Sequence, residues 1–287
     1  MRSFTVTKGD PRRFRVLPLI EQSGWEPTFV CDTESQASSL RSLGVSNSCI
    51  RLSDVPKGTG IQGVSMARDY VCRKLMPKNE WCLWVDDNLS DVTGLKIELC
   101  KDLETLDLCD KTVNWRQEFE HSLTRRELAY HVKTTIDRAD KLGTIFGAFA
   151  NENNYYFRGK RWQTYGYCRT QLALYKNDGS TWFPFNTMML EDMFKSIDVV
   201  CRYGSVVINR YAKAVKPQFE HGGIGSFESR LPWLQDNCQK LYDLYPGLVK
   251  YHGDGKQYGT EASGFHLTFA KRTKPTVDQW RKDHDYL

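Results

Sequence analysis

The stretch WCLWVDDN, residues 81–88, decides the expected fold of this chain. Its first five residues form an uninterrupted apolar run, which is typical of a strand covered on both faces at the centre of a parallel sheet. The run ends in two carboxylates, Asp86 and Asp87, which are followed by Asn88. Because ligands of open α/β sheets bind beyond the carboxyl ends of the strands, this acidic pair is the first candidate for a functional site.

Strand and helix patterns alternate on the amino-terminal side of this stretch. Helical segments of about ten residues separate the expected strands, which predicts right-handed crossovers and a parallel sheet. Asp32, a glycine-rich loop at residues 57–63 and the acidic pair all follow expected strands, so we expect them at one edge of the sheet. The expected strands are residues 3–7, 27–31, 49–52 and 81–85, and the expected helices are residues 15–23, 35–43 and 64–75.

The second part of the chain continues with further helices and apolar strands. Residues 95–141 are charged and mostly helical in pattern. We find no internal repeat, low-complexity tract or linker, and therefore predict a single α/β domain over residues 1–287, with a mostly parallel central sheet flanked by helices. The later expected helices are residues 124–142 and 188–197, and the later expected strands are residues 144–150, 171–175 and 205–209.

Composition and charge limit the class of protein to which this chain can belong. Apolar residues make up 40% and charged residues 26% of the 287, which is ordinary for a globular protein. No apolar run approaches the roughly 18 residues that span a bilayer, and the amino terminus lacks a secretory pattern, so we expect a cytoplasmic protein without a membrane partner. The net charge of +5 permits an anionic partner without demanding one. The nine cysteines show no C-x-x-C spacing, which favours buried free thiols over disulfides or a zinc site.

Two interpretations fit the acidic pair Asp86 and Asp87. Side-by-side carboxylates repel and raise each other's pKa, and a divalent cation would relieve this repulsion. Mg²⁺ and Mn²⁺ take hard oxygen ligands, usually one or two carboxylates together with substrate phosphates. The alternative is a turn or a helix cap, since Asp and Asn favour both. The position at the end of a central strand favours the metal.

Four other segments carry candidate residues, each with a plainer alternative. The glycines of the 57–63 loop, Gly60 and Gly63 among them, precede a helix amino terminus that would suit a phosphate, although the loop is not a Walker motif and equally fits a flexible connection. Arg68, in the helix that follows, fits either a contact with the acidic loop or donor, or a structural salt bridge. Glu191 and Asp192 open a helix, where acids also serve as simple caps. His221 lies among glycines, and a neutral imidazole suits manganese, although a lone histidine equally fits a plain polar residue, and His252 and His266 are rival ligands.

A basic and aromatic stretch, RGKRWQTYGYCR at residues 158–169, is the candidate acceptor surface. Basic groups neutralise phosphates and aromatic faces stack on exposed bases, so the pattern indicates nucleic acid. A solvated hairpin face, or a sugar-binding site, fits the same pattern. The residues that we assign to acceptor or DNA contact are Arg158, Lys160, Arg161, Trp162, Tyr165 and Arg169.

Several segments in order resemble the GT-A class of glycosyltransferases over roughly residues 3–225. They are the strand and loop at residues 5–10, Asp32, the segment MARD at 66–69, WVDD at 84–87 and LED at 190–192. The segments ARDY at 67–70, WVDDN at 84–88 and HGG at 221–223 are more narrowly similar to the TET-associated glycosyltransferases of bacteriophages. Two positions depart from the GT-A pattern: Asn88 stands where a second Asp is frequent, and Asp69 stands where Asn is common.

The resemblance implies a metal-dependent glycosyltransferase that uses a nucleoside-diphosphate sugar, with UDP-sugars expected. Residues 1–95 would then form the donor-binding half and residues 96–287 the acceptor half. Asp192 would be the general base of an inverting reaction, with Glu191 beside it. The implied metal ligands are Asp86, Asp87 and His221, and the implied donor contacts are Thr7, Lys8, Asp32, Gly60, Gly63, Arg68 and Asp86.

The narrower resemblance implies 5-hydroxymethylcytosine in phage DNA, or a sugar already attached to it, as the acceptor, with the host cytoplasm as the location. No obligate protein partner is indicated. Two rival functions stay open at this point. A nucleotidyltransferase would also use paired carboxylates, a metal and a nucleotide, and a DNA-binding module without catalysis would also carry the basic stretch.

Overall fold

The structure is a computed structural model of the 287-residue chain. It describes residues 1–7, 18, 24–54, 63–100, 114–150, 162–182, 190–216, 227–252, 266–269 and 274–284. Within these residues the fold is mixed α/β, with a nine-stranded and mostly parallel central sheet. The expected fold class is therefore confirmed at this level. A separate two-stranded hairpin follows near the carboxyl terminus.

The central sheet is built from strands of both halves of the chain. Its order is β3-β2-β1-β4-β8-β6-β9-β5, with β7 pairing on β9. Strands β1, β2, β3, β4, β6 and β9 run in one direction, whereas β5, β7 and β8 run in the other. The strands are β1 (Arg2–Val6), β2 (Glu26–Cys31), β3 (Ile50–Leu52), β4 (Trp81–Val85), β5 (Asp91–Gly94), β6 (Phe146–Ala150), β7 (Trp162–Gln163), β8 (Leu172–Lys176), β9 (Val207–Val215), and the hairpin β10 (Val249–His252) and β11 (His266–Phe269).

Helices connect and cover these strands. The second helix continues beyond Tyr70 into a π-helical turn, Val71–Leu75, and a short 3₁₀ turn, Asn47–Cys49, precedes β3. The helix expected at residues 15–23 lies outside the described residues, except for residue 18. The helices are α1 (Glu34–Ser42), α2 (Gly63–Tyr70), α3 (Ile97–Cys100), α4 (Trp115–Phe119), α5 (Arg125–Leu142), α6 (Glu191–Tyr203), α7 (Phe227–Leu244) and α8 (Lys274–Asp283).

The central strand β4 has the boundaries that its apolar run predicts. Its alternate side chains enter two different cores, because successive residues of a strand point to opposite faces. Cys82 and Trp84 belong to the core under α6, α7 and α8, while Leu83 and Val85 belong to the core under α5. A strand covered on both faces needs apolar residues at every position, which is why WCLWV reads as a continuous run.

The long helix α5 shows how local signals fix an element. Thr124 accepts a hydrogen bond from the backbone of Glu127, and Glu127 accepts one from the backbone of Thr124 in return. This reciprocal capping box satisfies two backbone donors at the start of the helix. At the other end, Gly143 takes the left-handed conformation, with φ of 67°. These two signals bound the helix close to the expected residues 124–142.

The cysteines of the described residues are free thiols, as their spacing predicts. Among them Cys49 is partly exposed. The buried thiols are those of Cys31, Cys72, Cys82, Cys168, Cys201 and Cys238. Burial raises the pKa of Cys31 to about 11 and that of Cys82 to about 12. These thiols stay protonated at neutral pH and pack as small apolar side chains.

Candidate active site

The order of the strands creates a crevice between the carboxyl ends of β1 and β4. From β1 the chain moves outward through β2 to β3, and then returns to the opposite side of β1 to form β4. Such a reversal is a topological switch point, where open α/β sheets hold their ligands. Thr7 directly follows β1, and Asp86 and Asp87 directly follow β4, so the predicted acidic pair lies at this crevice.

Asp87 ties the two strand ends together. Its carboxylate is buried, with 6% of the residue exposed, and accepts a hydrogen bond of 2.8 Å from the Thr7 hydroxyl. The Thr7 amide donates to the carbonyl of Val30 in β2 at 2.9 Å. Thr7 was predicted to contact the donor, and the structure places it beside the acidic pair as an anchor of Asp87.

Asp86 has a cation at each of its two carboxylate oxygens. The Arg68 guanidinium donates to Oδ1 at 3.0 Å, and the Lys216 ammonium lies 2.6 Å from Oδ2. The Asp86 amide donates to the carbonyl of Gln171 at 2.8 Å, which holds the loop against the segment that enters β8. Asp86 and Asp87 therefore face different partners, and this separation relieves the repulsion for which the sequence suggested a metal.

Arg68 joins the acidic loop to helix α6. Its side chain is 7% exposed, its Nη1 donates to Glu191 Oε1 at 2.5 Å, and its Cζ lies 5.9 Å from the centre of the Trp84 ring. Burial lowers the pKa of Arg68, but the carboxylates of Glu191 and Asp86 outweigh burial and raise it. The contact between Arg68 and the acidic loop that the sequence suggested is present, and a contact with the donor stays a prediction. The Arg68 Nε is buried and has no hydrogen-bond partner among the described residues.

Glu191 is a largely buried carboxyl group, with 14% of its side chain exposed, and its pKa is raised. Burial raises its pKa to about 7, with contributions from the charges of Asp192 and Asp86, while Arg68 opposes the rise. The attraction of Arg68 does not prevail because the effect of burial on this carboxyl group is larger. Glu191 therefore changes protonation near neutral pH.

Asp192 lies beside Glu191, but its carboxylate has different partners. Its Oδ1 accepts from the Met193 amide at 2.8 Å, and its other oxygen has no hydrogen-bond partner in the described part of the chain. Burial raises the pKa of Asp192, while the nearby charges of Arg169 and Arg68 lower it. Arg169 is exposed on the segment that leads into β8. The structure thus brings one of the predicted acceptor contacts, Arg169, to the predicted base.

The backbone before this acidic pair is strained. Leu190 starts α6 with φ of 72° and ψ of 19°, a left-handed conformation that costs a leucine about 1–2 kcal/mol. No side chain caps the helix at this position. Strain of this kind persists where the surrounding structure holds it, and it is frequent at functional sites.

The other predicted donor contacts lie at the same edge or outside the described residues. Asp32 follows β2, where its Oδ1 accepts from the Ser53 hydroxyl at 2.6 Å and its amide donates to Gln36. Gly63 is the first residue of α2, the helix that carries Arg68. The predicted residues outside the described part of the chain are Lys8, Gly60, His221, Arg158, Lys160 and Arg161.

The two aromatic residues predicted to stack on an acceptor lie away from this cluster. Trp162 packs its ring against Tyr211, with centres 5.8 Å apart, in an apolar cluster with Trp115. Burial and the charge of Asp278 raise the pKa of Tyr165. The carbonyl of Thr164, the residue before it, accepts a hydrogen bond from the amide of Val206, which directly precedes β9. Since β9 runs in the same direction as β4, its start is at the sheet edge opposite Asp86.

Two features of the site were not anticipated from the sequence. Lys216 directly follows β9, and nothing in its local sequence indicates that β9 brings it to Asp86. Asp69, noted only as a departure from the family pattern, accepts from the Trp182 amide at 3.1 Å and thereby holds the segment that precedes α6.

The residues described do not by themselves form a metal centre at this edge. Among them no group of three or more His, Cys, Asp or Glu side chains is arranged to hold a metal ion. A polar cavity of about 470 Å³ lies elsewhere, beside α4. Its lining residues are Lys96, Asn114, Arg116, Gln117, Glu118, Glu120 and His121.

Across the described residues, no helix combines the length and the apolar character that crossing a membrane requires.

Comparisons with known proteins leave the family of this chain open. No protein-family model matches the sequence, and neither a curated protein nor a solved structure shows significant similarity to it.

Proposed function

We propose that this protein is a glycosyltransferase of the GT-A type that moves a sugar from a nucleoside-diphosphate sugar to a hydroxyl group. The observation that carries the proposal is the unequal environment of Glu191 and Asp192. Arg68 binds Glu191 at 2.5 Å, whereas Asp192 keeps one carboxylate oxygen without a hydrogen bond among the described residues. A catalytic base needs an available oxygen and gains proton affinity when its pKa is raised; Asp192 keeps such an oxygen, and burial raises its pKa.

The donor fits the crevice between β1 and β4. Strand ends bring Thr7, Asp32 and the acidic pair to this edge, where nucleotides bind in open α/β sheets. Arg68 and Lys216 supply positive charge beside Asp86, which favours an anionic diphosphate close by. The helix α2 opens at Gly63, and its amino-terminal amides favour negative charge.

The chemistry of the residues at the end of β4 fits a divalent cation. Asp86 and Asp87 offer hard oxygen ligands, and the pairing of Asp86 with two cations shows that positive charge is favoured there. A bound Mn²⁺ or Mg²⁺ would supply charge that stabilises the leaving diphosphate. His221, the third proposed ligand, lies outside the described residues.

The proposed reaction is a direct displacement with inversion at the sugar. The acceptor oxygen forms a bond to the anomeric carbon while the bond from that carbon to the phosphate oxygen breaks. The electron pair of the broken bond leaves with the nucleoside diphosphate, and the acceptor proton passes to Asp192. Arg68 holds Glu191 and Asp86 in place throughout, because its buried guanidinium contacts both carboxylates.

The acceptor that we propose is the hydroxymethyl group of 5-hydroxymethylcytosine in phage DNA, or a sugar attached to it, in the host cytoplasm. The support is the sequence resemblance together with Arg169, an exposed cation facing Asp192 that suits a phosphate near the acceptor. A base inside a duplex must leave the stack to reach a buried carboxylate, so the groove must widen or the nucleotide must flip.

Mass spectrometry tests this function directly. Protein, Mn²⁺ and a panel of UDP-sugars are incubated with DNA that contains 5-hydroxymethylcytosine, and with matched unmodified DNA. The expected result is a sugar mass added only to the hydroxymethylated DNA, together with release of UDP. Release of pyrophosphate from a nucleoside triphosphate would instead favour a nucleotidyltransferase. Salt-sensitive DNA binding that ignores both chelation and Asp86→Ala, without any transfer, would favour a DNA-binding module.

A further inference from the structure

The two cations at Asp86 are held very differently. Arg68 is 7% exposed and fixed by Glu191 and by the Trp84 ring. The Lys216 side chain is 31% exposed, and within the described residues Asp86 is the one carboxylate with which it pairs. Lys216 stands at the end of β9, directly after Val215. Of the two cations, Lys216 is therefore the one that can leave at little cost.

The carboxylate itself is less free to move than the ammonium. The Asp86 amide is bonded to the carbonyl of Gln171, and the Ser90 amide to the carbonyl of Val215, so the loop is tied at both ends. A lysine has a flexible stem and a compact charge, whereas Arg68 is locked in a planar two-carboxylate contact. An ammonium at 2.6 Å from Oδ2 occupies the place from which a metal would bind that oxygen.

We propose that Lys216 is an exchangeable counter-ion of Asp86, which neutralises this carboxylate in the metal-free protein and is displaced when a divalent cation binds. The inference rests on the metal site of the proposed function and adds a residue that competes for it. Removing the ammonium should therefore strengthen metal binding, because the metal no longer has to break an ion pair.

Binding of Mn²⁺ without nucleotide or acceptor, followed by electron paramagnetic resonance, tests the competition. Lys216→Met should bind Mn²⁺ about fivefold more tightly than the wild type, because the metal no longer has to break one partly exposed ion pair. Arg169→Gln removes a cation from the same edge and should change the affinity less than twofold. Asp86→Asn should weaken binding. Equal tightening by Lys216→Met and Arg169→Gln, no tightening, or no Mn²⁺ binding at all would overturn the proposal.

A second measurement uses the unaltered protein. Lysines are acylated with an amine-reactive reagent, with and without Mn²⁺, and modification is followed by peptide mass spectrometry. Lys216 should react severalfold faster when Mn²⁺ is present, while Lys240, which lies 2.7 Å from Asp236 and is 39% exposed, should not change. An unchanged Lys216 rate in metal-bound protein contradicts the displacement. Neither measurement involves sugar transfer. Mn²⁺ binding without the expected change at Lys216 overturns this inference alone, whereas no Mn²⁺ binding at all would also count against the metal site of the proposed function.

Discussion

At the scale of single residues, the site separates carboxylates that are neighbours in sequence. Glu191 faces the buried guanidinium of Arg68, while Asp192 bonds to its own helix amide and faces exposed Arg169. Adjacent residues on a helix point about 100° apart, so a sequence motif of two acids does not itself assign their roles. The side-chain contacts support Glu191 as a positioning residue and Asp192 as the proposed base.

We expect Asp192→Asn to lower sugar transfer by roughly 10²–10⁴-fold, because the amide cannot accept the acceptor proton. The affinity for the nucleoside diphosphate should stay close to that of the wild type, since no hydrogen bond joins Asp192 to the acidic loop among the described residues. Single-turnover transfer and calorimetric binding of UDP separate the two effects. Ser196→Ala is a control in the same helix, because it removes a hydroxyl that donates to the Asp192 carbonyl and accepts from the Cys168 amide, but no titratable group. Full transfer by Asp192→Asn would exclude this residue as the base.

The raised pKa of Glu191 predicts a pH-dependent stability. Burial favours the protonated carboxyl in the folded protein, where its pKa is about 7, above the ordinary value of 4.5. The resulting stabilisation is present below pH 4.5 and is lost as the pH rises through 7. We expect of the order of 2 kcal/mol of unfolding free energy to disappear over this interval. Denaturant unfolding at pH 5 and pH 8 should show this loss in the wild type and a smaller one in Glu191→Gln. Equal losses in both proteins would contradict the assignment.

At the scale of elements, the sequence predicts those whose signals are local. The apolar run of β4 and the Thr124 and Gly143 caps of α5 fix their elements nearly to the residue. Strand β9 extends to Val215, beyond the expected residues 205–209, because it passes β6 and pairs with β5. That partner is distant in sequence, and Arg210 and Lys213 interrupt the apolar pattern. Strand β5 and the helices α7 and α8 were not predicted either.

The left-handed start of α6 escaped prediction for the same physical reason. Glycine and asparagine in a sequence indicate a possible positive φ, whereas a leucine such as Leu190 does not. We expect Leu190→Gly to be more stable than Leu190→Ala by about 1 kcal/mol, because only glycine adopts this conformation without strain. Both variants lose the same leucine packing, so their difference isolates the backbone, and thermal unfolding measures it. The same pair at Lys133, exposed within α5, should show the opposite order. Greater stability of the Leu190 alanine variant would mean that φ of 72° is not strained.

At the scale of the whole molecule, strand order assembles a site that the motifs only outline. The strands expected at residues 3–7, 27–31, 49–52 and 81–85 are present and parallel to one another, as predicted. The strand expected at residues 171–175 is also present, but β8 runs antiparallel to β4 and β6. An apolar pattern carries no information about strand direction. This antiparallel insertion brings Gln171 to Asp86 and Arg169 to Asp192, which no local pattern could indicate.

The modest net charge of +5 makes the placement of each cation important for the proposed binding of DNA. If the acceptor duplex docks at the carboxyl edge of the sheet, Arg169 should contribute about one phosphate contact. Arg169→Gln should then reduce the slope of log K against log salt by about 1, with the loss of affinity greatest at low salt. Fluorescence anisotropy with labelled hydroxymethylated DNA measures this slope.

Lys240→Gln removes the same charge from an ion pair with Asp236 in α7 and should leave the slope unchanged. Similar slopes in wild type and Arg169→Gln would mean that DNA does not approach Asp192 along this edge. The catalytic assignment would then require an acceptor without phosphates, since the base and its facing cation occupy the same side of the sheet.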